Sequence, residues 1–108
     1  QMVYLASVPA LNQLLQGVYS QLKTKLRLGN IPQAANLFSG GVREQYTQMF
    51  SNIPNLSNMV NSMGDIKTNM LNDSFAEYLL IQEKNAVKYA YPLYFSKSKD
   101  GIWRIEGF

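Results

Sequence analysis

The spacing of apolar residues along the chain changes at Gly64. Before this glycine, apolar residues recur every three or four positions, which is typical of amphipathic helices. After it, they alternate with polar residues, which is typical of strands with one buried face. Helices followed by strands indicate an α+β fold. We predict that three or four N-terminal helices pack on a curved antiparallel sheet of four strands.

Glycine, asparagine and proline residues divide the helical half into segments. Pro9 is expected to end regular structure at its position. Residues 1–9 are therefore interpreted as a lead-in segment or linker, and residues 10–108 as a single α+β domain. The predicted helices cover residues 10–28, a short segment around Pro32, residues 42–51, and a segment from Pro54 to Gly64.

The strand half predicts a meander, with strands over residues 65–71, 74–84, 87–97 and 102–108. If Asn85 and Ala86 form a two-residue loop, one face of the hairpin is almost wholly apolar and aromatic. The pairs on that face are Gln82 with Tyr89, Leu80 with Tyr91, Tyr78 with Leu93, and Ala76 with Phe95. On the opposite face, Glu83 pairs with Lys88 and Glu77 with Tyr94. Ala86 then needs a positive φ, which glycine adopts more easily.

The last hairpin allows two registers. A two-residue loop at Asp100 and Gly101 places Glu106 opposite Phe95, which buries a carboxylate among aromatic rings at high cost. A three-residue loop, which adds Lys99, instead pairs Ile105 with Phe95 and Trp103 with Lys97. We predict the second register, with Gly101 in the left-handed conformation. Pro92 cannot donate a hydrogen bond within a sheet and is expected to face outward or to lie at a bulge.

The residue types that are missing exclude several classes of function. The chain has no histidine and no cysteine, which excludes disulfide bonds, thiol chemistry and nearly all zinc sites. It also lacks the commonest general base near neutral pH. The net charge of +3 is spread along the chain, so we do not expect nucleic-acid binding. We expect no cofactor, no metal site and no transmembrane segment.

The aromatic sheet face is the candidate ligand-binding pocket. It would be formed by Tyr46, Met49, Phe50, Tyr78, Tyr89, Tyr91, Phe95 and Trp103, with Met59 and Met63 opposite. The alternative is a packed core with tyrosine hydroxyls at its rim, and we prefer this interpretation because these residue types dominate ordinary cores.

A second candidate is a pair of carboxylates on the polar face. Glu77 and Glu106 could flank Tyr94, with Arg104 nearby, and paired carboxylates can perform acid–base catalysis when a buried site separates their pKa values. Because these residues lie beside cations on the polar face, we interpret them as a solvated charge network. No residue is predicted to be catalytic.

The segment AEYLLIQEKNAVKYAYPLYFSKSKDGIWRIEGF, residues 76–108, resembles the C-terminal half of small bacterial domains of the nuclear-transport-factor-2-like (cystatin-like) superfamily. The upstream segments GNIPQAANLFS and VREQYTQMF are also similar to that superfamily. The resemblance implies a curved sheet wrapped over the helices into a cone with a pocket in its mouth. Its members include isomerases, dehydratases, ligand binders and non-catalytic accessory domains, and the chain lacks the His/Asp sets of the enzymes.

We therefore predict a non-catalytic binding or protein-interaction domain of a bacterial, exported protein, periplasmic or extracellular in preference to cytoplasmic. The alternatives are a carrier of a small apolar ligand and an isomerase- or dehydratase-type enzyme that uses pocket tyrosines. The partner is expected to be a small apolar ligand or a protein. A homodimer through the outer sheet face is also predicted, because an apolar patch alternates onto that face, formed by Phe75, Leu79, Ile81, Ile102 and Phe108.

Overall fold

The computed structural model describes residues 2–108, with side chains from Pro9 onward. It has an α+β architecture with four helices followed by one open, four-stranded antiparallel sheet in the order β1-β2-β3-β4. The helices are α1 (Met2–Arg27), α2 (Ile31–Ala35), α3 (Gly40–Ser51) and α4 (Leu56–Ser62). The strands are β1 (Ile66–Leu71), β2 (Phe75–Lys84), β3 (Val87–Lys97) and β4 (Trp103–Gly107). None of the described helices has both the length and the apolar character needed to cross a membrane.

Helix α1 starts earlier than the sequence predicts. Pro9 lies inside it, so the expectation that this proline ends regular structure is wrong. Proline removes a single helical hydrogen bond, and Pro9 itself is exposed. The assignment of residues 1–9 to a lead-in segment or linker stays a prediction, and its first residue lies outside the described part of the chain.

The hairpin between β2 and β3 has the predicted register at every pair named above, including Tyr78 with Leu93 and Ala76 with Phe95. Its turn residues, Asn85 and Ala86, have φ values of 53° and 65°. Two positive φ values are the signature of a type I′ turn, whose twist matches that of the flanking strands. The turn conformation thus accounts for the register.

The β3–β4 hairpin confirms the three-residue loop. Ile105 pairs with Phe95 and Trp103 with Lys97. The N–H of Ser98 donates to the carbonyl of Ile102 across the base of the loop, over 3.1 Å, and Gly101 has a φ of 81°. The loop keeps Glu106 away from Phe95, as the cost of burying a carboxylate requires.

A β-bulge near the end of β4 was not predicted. Tyr94 pairs with Gly107 while the adjacent Phe95 pairs with Ile105, so Glu106 is an extra residue in the ladder. One inserted residue reverses the alternation of all residues that follow it. Phe108 therefore lies on the helix side of the sheet, and its predicted place on the outer face is wrong.

The core fills the space between the helices and the inner sheet face. Its largest fully buried side chains are Tyr78, Phe38, Phe50, Phe95, Leu15, Leu22, Leu26, Leu93, Ile105 and Val60. β4 is also covered on its free side: the N–H of Ile105 donates to the carbonyl of Leu37, and the N–H of Ser39 donates to the carbonyl of Ile105, each over 2.8 Å. This short parallel bridge holds the segment between α2 and α3 against the sheet.

The β2–β3 hairpin extends beyond this core. β4 pairs only with residues 94–97 of β3, and residues 87–92 are all exposed. Tyr89 and Tyr91, which point to the inner face, are 43% and 38% exposed. The sheet thus has a well-covered half and an overhanging half.

Candidate functional site

Part of the predicted aromatic pocket is solid core. Tyr46, Phe50, Tyr78 and Phe95 are at most 7% exposed and belong to one hydrophobic cluster. The ring of Tyr78 meets that of Phe95 edge-on, with 5.4 Å between centroids. The interpretation as a packed core therefore describes these side chains better than an open pocket does.

The hydroxyl groups of the buried tyrosines have protein partners. Tyr78 donates to Asn12 Oδ1 over 2.6 Å, and burial raises the pKa of Tyr78. The Tyr46 hydroxyl accepts from the N–H of Phe108 over 3.0 Å and donates to the carbonyl of the same residue over 3.2 Å. Its ring stacks on Phe38 and Phe108 with centroid separations of 4.3 and 5.5 Å. These contacts anchor the end of the chain to α3.

The other predicted pocket residues are scattered. Met49 is 40% exposed on α3, and Trp103 is half-buried against the core cluster. Tyr89 and Tyr91 stack on each other on the overhanging hairpin, with 6.4 Å between centroids. The structure therefore separates the predicted set into core residues, a lone methionine and an exposed tyrosine pair.

The concave site lies under the overhang, between α4 and the β2–β3 hairpin. We call it the hairpin groove, and its volume is about 290 Å³. Its lining residues are Met59, Met63, Leu80, Gln82, Lys84, Tyr91 and Phe108. Most of this lining is apolar, Gln82 adds a polar amide, and Lys84 supplies the charge at one end. A concave apolar surface with a few polar groups is the usual form of a small-ligand site.

The sequence indicated only part of this groove. Tyr91, Met59 and Met63 belonged to the predicted aromatic face and its opposing helix residues. Leu80 was placed on the correct sheet face by the register, but neither Gln82 nor Lys84 was considered as a site residue. Phe108 was missed because the bulge that turns it inward has no clear signal in the alternation pattern. Gly107, two residues after the buried Ile105, does suggest an irregular strand end, because glycine within a strand often marks a bulge.

A second depression lies near the start of β1, with a volume of about 490 Å³. It is larger than the hairpin groove, but its lining mixes two acidic and two basic side chains, Asp65, Glu83, Lys67 and Lys88. Such a mixed set has no net charge to attract an ion, and less apolar surface is accessible there than in the hairpin groove. The hairpin groove is therefore the better candidate site.

The predicted carboxylate pair does not form a catalytic arrangement. Glu77 lies opposite Tyr94, as expected, but Glu106 accepts hydrogen bonds from the hydroxyls of Ser39, over 2.6 Å, and Ser96. This carboxylate thus joins the α2–α3 connection to the sheet.

Arg104 forms an ion pair of 3.2 Å with Asp100 and not with either glutamate. The N–H of Ile102 and the Arg104 guanidinium hold the pKa of Asp100 below its ordinary value. In the described part of the chain, no group of three or more acidic side chains could hold a metal ion.

The outer sheet face is open, as the predicted dimer contact requires, although dimerisation stays a prediction. Phe75, Leu79 and Ile81 are half-buried on it, and the ring of Phe75 stacks on Tyr94 with 5.9 Å between centroids. Phe108 does not contribute to this surface, because it lines the hairpin groove on the opposite side.

Comparisons with protein-family models, with curated proteins and with solved structures find no match for this chain.

Proposed function

We propose that this protein is a non-catalytic binding or protein-interaction module whose binding site is the hairpin groove. The observation that carries the proposal is the contrast between a filled core and an apolar groove beside it. The side chains of Met59, Tyr91 and Phe108 remain partly accessible there. Apolar surface that stays open beside a well-packed core is typical of a site that a partner covers.

The hydrogen bonds and surroundings of the tyrosines favour a non-catalytic role. An isomerase or dehydratase that polarises a carbonyl needs a free tyrosine hydroxyl near a carboxylate. The hydroxyls of Tyr46 and Tyr78 are already engaged with Phe108 and Asn12. Tyr91 lies in the groove, but the groove lining contains no carboxylate. A binding role fits these groups better than the enzymatic alternative does.

A carrier of a small apolar ligand is the second candidate function. It is favoured by Lys84, which is the charged residue in a mostly apolar lining. A ligand with an apolar body and one anionic group would place its body against the methionines and its charge beside the lysine. The groove volume of about 290 Å³ suits a ligand near the lower limit of usual small-molecule sites.

For the fold family, we infer a variant of the nuclear-transport-factor-2-like (cystatin-like) cone. Supporting features are the long first helix, the helices on one face of an antiparallel meander, and a groove at the end where the sheet projects past them. This inference adds context to the binding role but does not choose a ligand.

The binding site is tested with the apolar anionic dye 8-anilinonaphthalene-1-sulfonate, whose fluorescence rises in apolar sites. We expect the native protein to bind the dye saturably and the Met59→Glu variant to bind it at least about tenfold more weakly, since one buried apolar side chain contributes about 1.5–3 kcal/mol. Met49→Glu is the matched control, because Met49 is exposed on α3 and lies outside the groove. An equal loss of dye affinity in both variants, or no dye binding to the native protein, would contradict the assignment of the groove as the binding site.

Native mass spectrometry of freshly purified protein then separates the two candidate functions. A carrier retains a small molecule that survives purification, and its mass disappears in Met59→Glu. An interaction module gives the mass of the polypeptide alone. Retained cargo would therefore overturn the first proposal in favour of the second.

A further inference from the structure

The sheet has an edge that its own chain leaves unpaired. β3 spans Val87–Lys97, but β4 pairs only with its last part, from Tyr94 to Lys97. In the part of the chain that the structure describes, no backbone group pairs with the outward side of residues 88–92. We call this stretch the free β3 edge.

The orientation of its backbone groups follows from the strand alternation. The N–H of Lys97 donates to Ser74 on the β2 side, and the N–H of Ser98 donates to Ile102 on the β4 side. Backbone groups of successive residues point alternately to the two neighbouring strands. The N–H and carbonyl groups of Lys88 and Ala90, and the carbonyl of Pro92, therefore point away from β2 into the open position.

The opposite edge of the sheet is less suitable for pairing. β1 is interrupted by a bulge between Thr68 and Met70, and bulges are a common way to protect an edge from further pairing. The free β3 edge has no bulge between Val87 and Leu93. Pro92, which lacks an N–H, limits the length of any added ladder at one end and so favours a short partner.

The surface beside this edge indicates the chemistry of the partner. Tyr89 and Tyr91 point to the inner face, and Tyr91 is part of the hairpin groove, so a strand added here would place alternate side chains against apolar surface. Lys88 lies at the other end of the edge, on the outer face opposite Glu83, and Lys84 of β2 lies on the inner face in the hairpin groove. Neither lysine forms an ion pair within the described residues. Apolar side chains and one acidic group complement this surface.

We propose that the free β3 edge binds an extended segment of another protein as an added antiparallel strand. The segment carries apolar residues opposite Tyr91 and Tyr89 and an acidic residue opposite Lys88. This inference rests on the proposed binding function and names the class of its partner. Backbone hydrogen bonds supply affinity in such complexes, and pockets for alternate side chains supply specificity. An antiparallel partner strand would lie in line with β4, which pairs in the same direction with the last part of β3 on the same side.

The probe is the synthetic peptide acetyl-Thr-Val-Thr-Val-Glu-Thr-amide, titrated into the isotope-labelled protein and followed by amide NMR shifts. In the proposed register its valines lie opposite Tyr91 and Tyr89, and its glutamate lies opposite Lys88. We expect saturable shifts and slower hydrogen exchange at the amides of Lys88 and Ala90, which gain acceptors. No saturable change at millimolar peptide, or changes confined to the outer face, would overturn the proposal.

A modified peptide tests the hydrogen bonds without altering the protein. Methylation of the amide nitrogen at the second threonine, opposite Ala90, removes a donor and blocks close approach, while all side chains stay the same. We expect binding to weaken about tenfold, because a lost hydrogen bond and an unsatisfied acceptor act together. Equal binding of the methylated peptide would show that the backbone edge is not used.

Protein variants provide the matching test. Ala90→Pro removes the Ala90 donor, as Pro92 already does at its own position, whereas Ala90→Ser keeps it and is the control. We expect only Ala90→Pro to lose peptide binding while both variants keep the native melting temperature within a few degrees. Lys88→Glu should weaken binding of the glutamate peptide and favour its lysine analogue. If Ala90→Pro does not fold, the methylated peptide and the charge exchange still decide the question.

The remaining outcomes distinguish this inference from the proposed function. Dye binding in the groove without peptide binding would contradict the added strand and leave the groove intact. Sedimentation that shows a dimer abolished by Ala90→Pro would assign the edge to a second copy of the chain and overturn the choice of partner.

Discussion

Replacing Ala86 with glycine tests the turn that sets the register of β2 against β3. Ala86 has a φ of 65° and is exposed, so its methyl group makes no packing contact that glycine would lose. A left-handed conformation costs an L-residue about 1–2 kcal/mol. Glycine avoids this strain but brings more conformational entropy to the unfolded chain, at a cost of about 0.4–1 kcal/mol. The net effect is a stabilisation of about 0.5–1 kcal/mol.

This stabilisation is measurable by thermal and urea denaturation. For a chain of 108 residues it corresponds to a rise in melting temperature of about 2–8 °C. The control is Ala90→Gly, four positions further along, where the residue is equally exposed but lies in regular strand. There the entropy of glycine is not offset by relief of strain, so stability should fall by about 0.5–1 kcal/mol. A melting temperature of Ala86→Gly that is unchanged or lower would refute the type I′ turn.

Further predictions concern a close backbone approach, a buried phenol and the bulge carboxylate. Gly64→Ala should lower the free energy of unfolding by about 2 kcal/mol or more, because a Cβ there would lie 2.1 Å from the Ile81 carbonyl oxygen. Gly17→Ala is the control: a Cβ at this position in α1 has no neighbour within 4 Å, so the free energy of unfolding should rise by about 0.5–1 kcal/mol. Both values are measured by urea titration. Burial raises the pKa of Tyr19 above its ordinary 10.0, so the folded state resists ionisation of this phenol. The contribution of Tyr19 to stability is therefore full below pH 10.0 and is lost as the pH rises above it. In urea titrations at alkaline pH, Tyr19→Phe should reduce the decrease of the free energy of unfolding with pH. Glu106→Ala should lower the free energy of unfolding by about 1–3 kcal/mol, since two serine hydroxyls lose their acceptor. Glu106→Gln keeps an acceptor oxygen and should lower it clearly less. Equal decreases in the two variants would contradict the role of the hydrogen bonds.

The two hairpin registers were predictable because each depends on local rules. The two-residue loop at Asn85 and Ala86 determines every pair of the β2–β3 hairpin. The cost of placing Glu106 against Phe95 excludes the competing register of the next hairpin. Both arguments need only turn geometry and the energy of burying a charge, which a single sequence contains.

The position of the groove was not predictable in the same way. It depends on the bulge at Glu106, and that bulge is stabilised by the hydroxyl groups of Ser96, on the paired strand, and of Ser39, which lies 67 residues away in the sequence. Without it, Phe108 would lie on the outer face and the groove would lose a wall. The length of β4 relative to β3, which leaves Tyr89 and Tyr91 uncovered, is likewise a tertiary property.

The proposed binding site is the hairpin groove, and not the aromatic core or the outer surfaces of the protein. Intermolecular nuclear Overhauser effects between the aromatic protons of 8-anilinonaphthalene-1-sulfonate and the methionine methyl groups locate the bound dye on the protein. We predict effects at Met59 and Met63, which line the groove, and none at Met49 or Met70, which are exposed elsewhere. Effects confined to Met49 or Met70 would show that the dye binds outside the hairpin groove and would contradict the proposed site.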